Sequence, residues 1–292
     1  HRPKAHCRVV QGTVREVKAE HTPTYTTAKE RQGIQAINVK SCPICRKKCG
    51  TLFVVYCTFF IFVRKVIYLK KITADFAVST MLVIMNQKKE ILEKLAFIRR
   101  HKEFASFGVK EQEVSYNPCL SEEDIKEFEH KHCITLPDDY RTFISEIGNG
   151  GFGPGYGLLP LDKAIVDFKL KDKPNISLNE KFPYQDSWNE EWITSFNWDE
   201  GYPETEIVDA YISTSHIAGS LQISHFGHGC TFLLVVNGNE KGHIWFDGRA
   251  DYSGLVPKLK DGQRISFIEW YITFLDMEIE NINESLTNST TA

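Results

Sequence analysis

The stretch EIGNGGFGPGYGLLPL, residues 146–161, holds six glycines and two prolines in sixteen positions, so neither a regular helix nor a regular strand can run through it. Gly148, Gly150 and Gly153 spell G-x-G-x-x-G, the spacing with which a chain wraps a dinucleotide pyrophosphate. That chemistry needs its glycines after a strand and before a helix, so that a helix N-terminus faces the phosphates. Here they follow a helix. In LPDDYRTFISEIGNG, Pro137 stands near a helix start and Tyr140, Phe143, Ile144 and Ile147 recur at i, i+3, i+4, i+7. Gly148 then falls where a left-handed C-cap belongs. No Lys-Ser or Lys-Thr pair completes a phosphate loop. We therefore read Gly148, Gly150, Gly151, Gly153, Gly155 and Gly157 as a structural corner and expect no cofactor. Phe152, Tyr156, Leu158, Leu159 and Leu161 would pack onto a core while the glycines make the bends, feeding a first strand.

The flanking sequence reads as an α+β fold: N-terminal helices, a mainly antiparallel sheet meander and a closing C-terminal helix. Residues 85–117 form a leading helix and linker, with Ile91, Leu92, Leu95 and Ile98 on the apolar face. SEEDIKEFEHKH (121–132) opens with a capping box, Ser121 and Asp124, ahead of Ile125 and Phe128. Strands are expected at EIVDAYIS (206–213), SLQISHF (220–226), CTFLLVV (230–236) and HIWFDG (243–248), joined by short glycine-bearing turns. ISFIEWYITFLDMEI (265–279) closes the domain as a helix, with Phe267, Trp270, Tyr271, Phe274 and Leu275 on one face. We place the domain at 118–280 and a disordered polar tail at 281–292.

Charge divides the chain near residue 80. Residues 1–80 carry 15 basic and 4 acidic residues, whereas the remainder carries 20 and 34. An acidic domain lacks the footprint that phosphate backbones require, so no direct nucleic acid is expected, and a basic protein partner is favoured. Residues 1–84 show no sustained periodicity, and we expect them to be disordered or not natively translated, with translation starting at Met81 or Met85. CPICRKKC supplies Cys42, Cys45 and Cys49, half of a zinc site, which Cys57 or Cys7 would have to complete. TLFVVYCTFFIFV (51–63) is shorter than the roughly 20 apolar residues of a membrane span. Extending it to 69 brings Arg64 and Lys65 inside, so no membrane association is expected unless 51–69 is translated and inserted. Cys119, Cys133 and Cys230 are scattered and odd in number, as in a reducing, cytoplasmic setting. The sequons at Asn175, Asn283 and Asn288 then read as chance matches.

No nucleophile, base and orienting group stand at recognisable spacing, so we expect no enzyme and no catalytic residue. His216, His225, His228, Cys230 and His243 invite a metal or thiol reading, yet no C-x-x-C pair or H-E-x-x-H motif accompanies them. Asp247, Arg249 and Asp251 read as Asp-Gly turn chemistry after a strand with Arg249 pairing a neighbour, against the alternative of acid–base work or cation binding. Trp188, Trp192 and Phe196, at i, i+4, i+8, permit a short helix. With Trp198 and the 247–252 loop they form a candidate partner surface: Trp188, Trp192, Trp198, Asp247, Arg249 and Asp251.

LSEEDIKEFEHKHCITLPDDYRTFISEIGNGGFGPGYGLLPL resembles the opening of the SUKH superfamily, the Smi/Knr cell-wall-regulator type. The shared pattern is an acidic helix, a Leu-Pro step, a helix ending in GNGG and a YGLLPL-like strand. ISHFGHGCTFLLVVNGNEKGHIWFDG resembles the family's hairpin, in the right order, and together they cover about residues 118–276. The resemblance implies an α+β protein-binding module with no catalytic centre, most simply an immunity protein neutralising a toxin. The alternatives are a signalling scaffold of the cell-wall-regulator type and, ranked below it, a metal- or thiol-dependent hydrolase using His228, Cys230, His243 or Asp247.

Overall fold

The computed structural model describes residues 86–290, apart from 168, 169, 171, 173, 200 and 202. All lie in the second of the two units into which the chain divides, His1–Lys70 and Lys71–Ala292. The cysteine set at Cys42, Cys45 and Cys49, the apolar run 51–69 and the starts at Met81 and Met85 fall outside the described residues.

Helices lead the chain, as expected. α1 (86–100) buries Ile91, Leu95 and Ile98, but Leu92 is 49% exposed, because it sits a full helical step round from Ile91. After the single turn of α2 (Phe107–Lys110), α3 (Glu122–His132) starts on the complete capping box. The Ser121 hydroxyl accepts from the Asp124 backbone N–H, and the Asp124 carboxylate accepts from that of Ser121. Cys133, at φ 52°, ends the helix in the left-handed region. Pro137 caps α4 (Asp138–Glu146), whose Tyr140 and Phe143 meet Phe267 edge-on at 4.9 and 5.1 Å. Phe267 opens the closing helix α7 (Phe267–Thr290), which also pairs with α1 through Lys94 and Asp276. The leading helix thus shares one core with the rest of the domain.

Between α4 and α7 the chain makes α5 (Glu191–Ser195), α6 (Thr205–Tyr211) and a four-stranded antiparallel meander in sequential order. Its strands are β1 (Ser220–Gly227), β2 (Cys230–Val235), β3 (Ile244–Asp247) and β4 (Leu255–Pro257). Every residue of β2 is buried, as suits a central strand. A small ribbon, β5 (Leu259–Lys260) with β6 (Gln263–Arg264), precedes α7.

Three elements depart from expectation. Residues 206–213 are not a strand; Thr205–Tyr211 is helical. Ile207 and Val208 lent the segment β-character, but Ile207 stays exposed and the helix is held by its single buried residue, Tyr211. β4 was not expected; its Pro257, a residue that disfavours strand interiors, pairs opposite Trp245 at the sheet edge, where a missing N–H is tolerated. The tail expected to be disordered from 281 continues α7 to Thr290. Leu275, Ile279, Ile282 and Leu286 prolong the apolar stripe, and Ile282 is fully buried, which overrides the weak helix propensity of the intervening Asn, Ser and Thr.

Candidate functional site: an aromatic face beside a buried ion pair

The glycine run folds back on itself. Gly151 and Leu158 exchange backbone hydrogen bonds, 2.9 and 2.6 Å, and the returning segment lies along the open edge of β1. There Tyr156 N–H donates to the His225 carbonyl, Leu159 N–H to that of Ile223, and Ser224 Oγ to that of Pro154. The returning residues make isolated bridges to β1 in place of a full strand. Gln112 ties the loop from the other side, its amide donating to the Gly153 and Gly155 carbonyls and accepting from Gly153 N–H. Gly148 is not a left-handed cap: only Gly150, Gly151, Gly155 and Gly157 of the six take positive φ. Gly148 needs its missing side chain for another reason, since a Cβ there would lie 2.3 Å from the Tyr116 Cβ. The tip of the corner, Pro154–Tyr156, forms one lip of an apolar cleft of about 610 Å³ floored by Phe232 and Trp270, with Phe226, Leu259 and Met277 exposed around it.

The Trp188–Trp198 segment lies against the 247–252 loop. Trp188 precedes α5 and bridges Leu255 of β4 in place of opening a helix with Trp192 and Phe196. Its ring is stacked by Tyr184 at 4.9 Å, His216 at 4.3 Å and Tyr211 at 5.5 Å. Tyr211 in turn stacks on Tyr252 at 5.8 Å, and Trp192 and Trp198 pack on Tyr252 at 6.1 and 4.7 Å. Trp198 remains 42% exposed. Tyr211 and Tyr252 were not singled out in the sequence, and His216 only as a metal or thiol candidate; they join the face, with Tyr184, only through the fold.

Asp247 and Arg249 were expected on this surface and are not on it. Both are fully buried. Arg249 Nε and Nη2 each donate at 2.9 Å to one carboxylate oxygen of Asp247, while Nη1 donates at 2.6 Å to the Ser213 carbonyl. Asp167, also fully buried, stands 3.9 Å from the guanidinium. Burial alone would depress the Arg249 pKa, but Asp247 and then Asp167 outweigh it and hold the pKa above the ordinary value. The pair is a peg beneath the aromatic face, pinning the turn after α6 to β3. Asp251 is exposed at the edge of the face.

His216 is gripped as a neutral ring: Nε2 lies 3.1 Å from the Ala210 carbonyl and Nδ1 receives the Tyr184 hydroxyl. Burial, aided by Arg249, lowers its pKa from the ordinary 6.5. Burial also pushes the Tyr184 phenol up to about 12. The unfolded chain therefore binds the His216 proton first as pH falls. The associated stability is intact above pH 6.5 and is lost as pH drops through the folded value. Urea midpoints should fall between pH 7.5 and 5.5, and His216→Gln should flatten that slope, leaving the share from His132, whose pKa burial also lowers. An unchanged slope in the variant would show that the ring is not the sensitive group.

Of the remaining candidates, His225, opposite Thr231, His228 and Cys230 share the β1–β2 hairpin end, whereas His243 lies apart from them. Gly227 pairs with Cys230 and Thr231 with Asp247, so both lie at one end of β2 and β3. His243 precedes Ile244, which pairs with Leu234 at the opposite end. His228 sits at φ 50° in the β1–β2 turn, and His243 approaches Glu240 at 3.5 Å. Among the described residues no three of His, Cys, Asp and Glu are grouped to hold a metal ion, and no helix is long and apolar enough to cross a membrane.

Residues 119–261 match the model of the SMI1 / KNR4 family (SUKH-1). The matched span runs from the approach to α3 through the glycine corner and the whole sheet to the β5–β6 turn. No curated protein and no solved structure matches the chain. The helix pair, the corner laced to β1 and the antiparallel meander that follows are what that model covers, and the chain carries a SUKH/Smi-Knr-like domain over residues 119–261.

Proposed function

We propose that this chain is a non-catalytic protein-binding module of the immunity type, which neutralises a cognate toxin by occupying it in the cytoplasm. The family match over residues 119–261 carries this reading, because domains of that kind are generally non-catalytic immunity or regulatory modules. Two physical features agree with it. The chain beyond residue 80 holds 34 acidic against 20 basic residues, which favours encounter with a basic partner. Two of the residues considered for chemistry are withdrawn from solvent: Asp247 is buried in its pair with Arg249, and Cys230 is buried at a strand start. The partner is taken to be a basic toxin domain, engaged without direct contact to nucleic acid.

Co-expression of the full chain with the toxin encoded beside its gene should restore growth, and the two should co-purify as a complex that weakens with rising salt. Absence of both rescue and co-purification would overturn the reading. Protection accompanied by turnover of the toxin would overturn its non-catalytic part.

A further inference from the structure

Four rings close a circuit at the outer edge of the aromatic face. Trp192 meets Phe196 at 6.0 Å, Phe196 meets Trp198 at 4.7 Å, Trp198 meets Tyr252 at 4.7 Å, and Tyr252 returns to Trp192 at 6.1 Å. Rings this close leave no room between them, so the surface they offer is their outward side, where Trp198 is most open. Three of the four carry an exposed carboxylate on an adjacent residue: Glu191 before Trp192, Asp199 after Trp198 and Asp251 before Tyr252. The surrounding sequence is one-sided in charge. From 182 to 240 there are nine Asp and Glu and not one Lys or Arg. Arg249, three residues from Tyr252, is committed to Asp247 and does not reach outward.

We infer that this patch is a docking point for an arginine side chain of a protein partner, an inference that rests on reading the chain as a protein-binding module. The electron-rich ring faces attract a cation, and the flanking carboxylates supply hydrogen-bond acceptors and opposite charge. Arginine suits it better than lysine, because a planar guanidinium stacks on a ring while its edge N–H groups reach carboxylates. The fold already uses that arrangement once, internally. The Arg264 guanidinium lies 5.7 Å from the centre of the Trp245 ring while its Nε donates at 2.8 Å to Glu240. The outer patch repeats those components, ring and carboxylate, with the guanidinium left for the partner to bring.

The test uses the full chain and two labelled peptides of equal charge, hexa-arginine and hexa-lysine, followed by fluorescence anisotropy. Hexa-arginine should bind several-fold tighter than hexa-lysine. Trp198→Ala should weaken it about tenfold or more, while Trp198→Phe, which keeps a ring, should recover most of the loss. Asp199→Asn with Asp251→Asn should weaken both peptides and shallow the salt dependence. Met277→Asp, on the separate apolar cleft, should leave binding unchanged. Equal affinity for the two peptides, or hexa-arginine binding indifferent to Trp198→Ala in a variant that keeps the wild-type circular dichroism and melting, would overturn the proposal. So would loss of hexa-arginine binding in Met277→Asp alone. These outcomes do not depend on the toxin: peptide binding without rescue removes the immunity reading and keeps the arginine site, and rescue without peptide selectivity does the reverse.

Discussion

Arg249→Met is expected to destabilise the domain by about 3–5 kcal/mol, the usual consequence of stripping one partner from a buried ion pair. Asp247 and Asp167, both fully buried, would face each other with no cation between them. The Ser213 carbonyl would also lose its donor, freeing the turn that follows α6. Because Tyr211 ends that helix and stacks between Trp188 and Tyr252, the aromatic face should loosen with it. Urea unfolding should show a lower midpoint at unchanged slope. Arg249→Lys should fall between wild type and Met, since an ammonium keeps the charge but cannot make two parallel bonds to Asp247. Adding Asp247→Asn to Arg249→Met should return part of the loss, because the neighbouring charges no longer repel. Wild-type stability in Arg249→Met would show that the peg is ornamental and that the face is held by ring stacking alone.

Gly155→Ala is expected to cost a comparable ~3–5 kcal/mol, from backbone strain and a clash acting together. Gly155 sits at φ +63°, and a Cβ there would lie 2.3 Å from the His225 carbonyl oxygen. That oxygen cannot retreat cheaply, since it accepts the Tyr156 N–H that fastens the corner to β1. Gly262→Ala is the informative control. It carries a similar φ, +77°, with nothing within 4 Å of the added carbon, so it should pay the strain alone, about 1–2 kcal/mol. The difference between the two melting shifts isolates the close approach of the corner to the sheet. Equal shifts would mean that the corner is set by conformation only, and the docking of the loop on β1 would carry no weight in stability.

Local chemistry made much of this domain legible. The Ser121–Asp124 box, the Tyr140–Phe143–Ile144 stripe and the glycine-punctuated β1–β2–β3 run each depend on residues within a few positions of one another. Their physics therefore survives without knowledge of the fold. The same locality misled at 206–213, where two β-branched residues outweighed a helix anchored by one distant stack. It misled again at Leu255–Pro257, which becomes a strand only because β3 offers an edge. The candidate surface shows the division most sharply. Trp188, Trp192 and Trp198 drew notice as large rings in a polar stretch, and the structure does gather them. Asp247 and Arg249 stand a few residues from Tyr252 and carry surface-type charge, yet they point inward. Which side of a strand end a side chain leaves from depends on register, and register is set by pairing with β2 and β4.

What the sequence determined by itself was the order of parts: a helix that must stop at the glycines, a corner that cannot be helix or strand, hairpins that follow, and an acidic chain around them. These follow from propensity, capping and periodicity, which act over a single turn or a single pleat. What only the tertiary structure decided was the use of the parts. A side chain at 148 is excluded by Tyr116 and not by the backbone φ, one at 155 by a carbonyl seventy residues along the chain, and Arg249 is buried where the distant Asp167 and the Ser213 carbonyl fold beside it. Steric approach and burial belong to pairs of residues distant in sequence, so they exist only once the chain has closed upon itself.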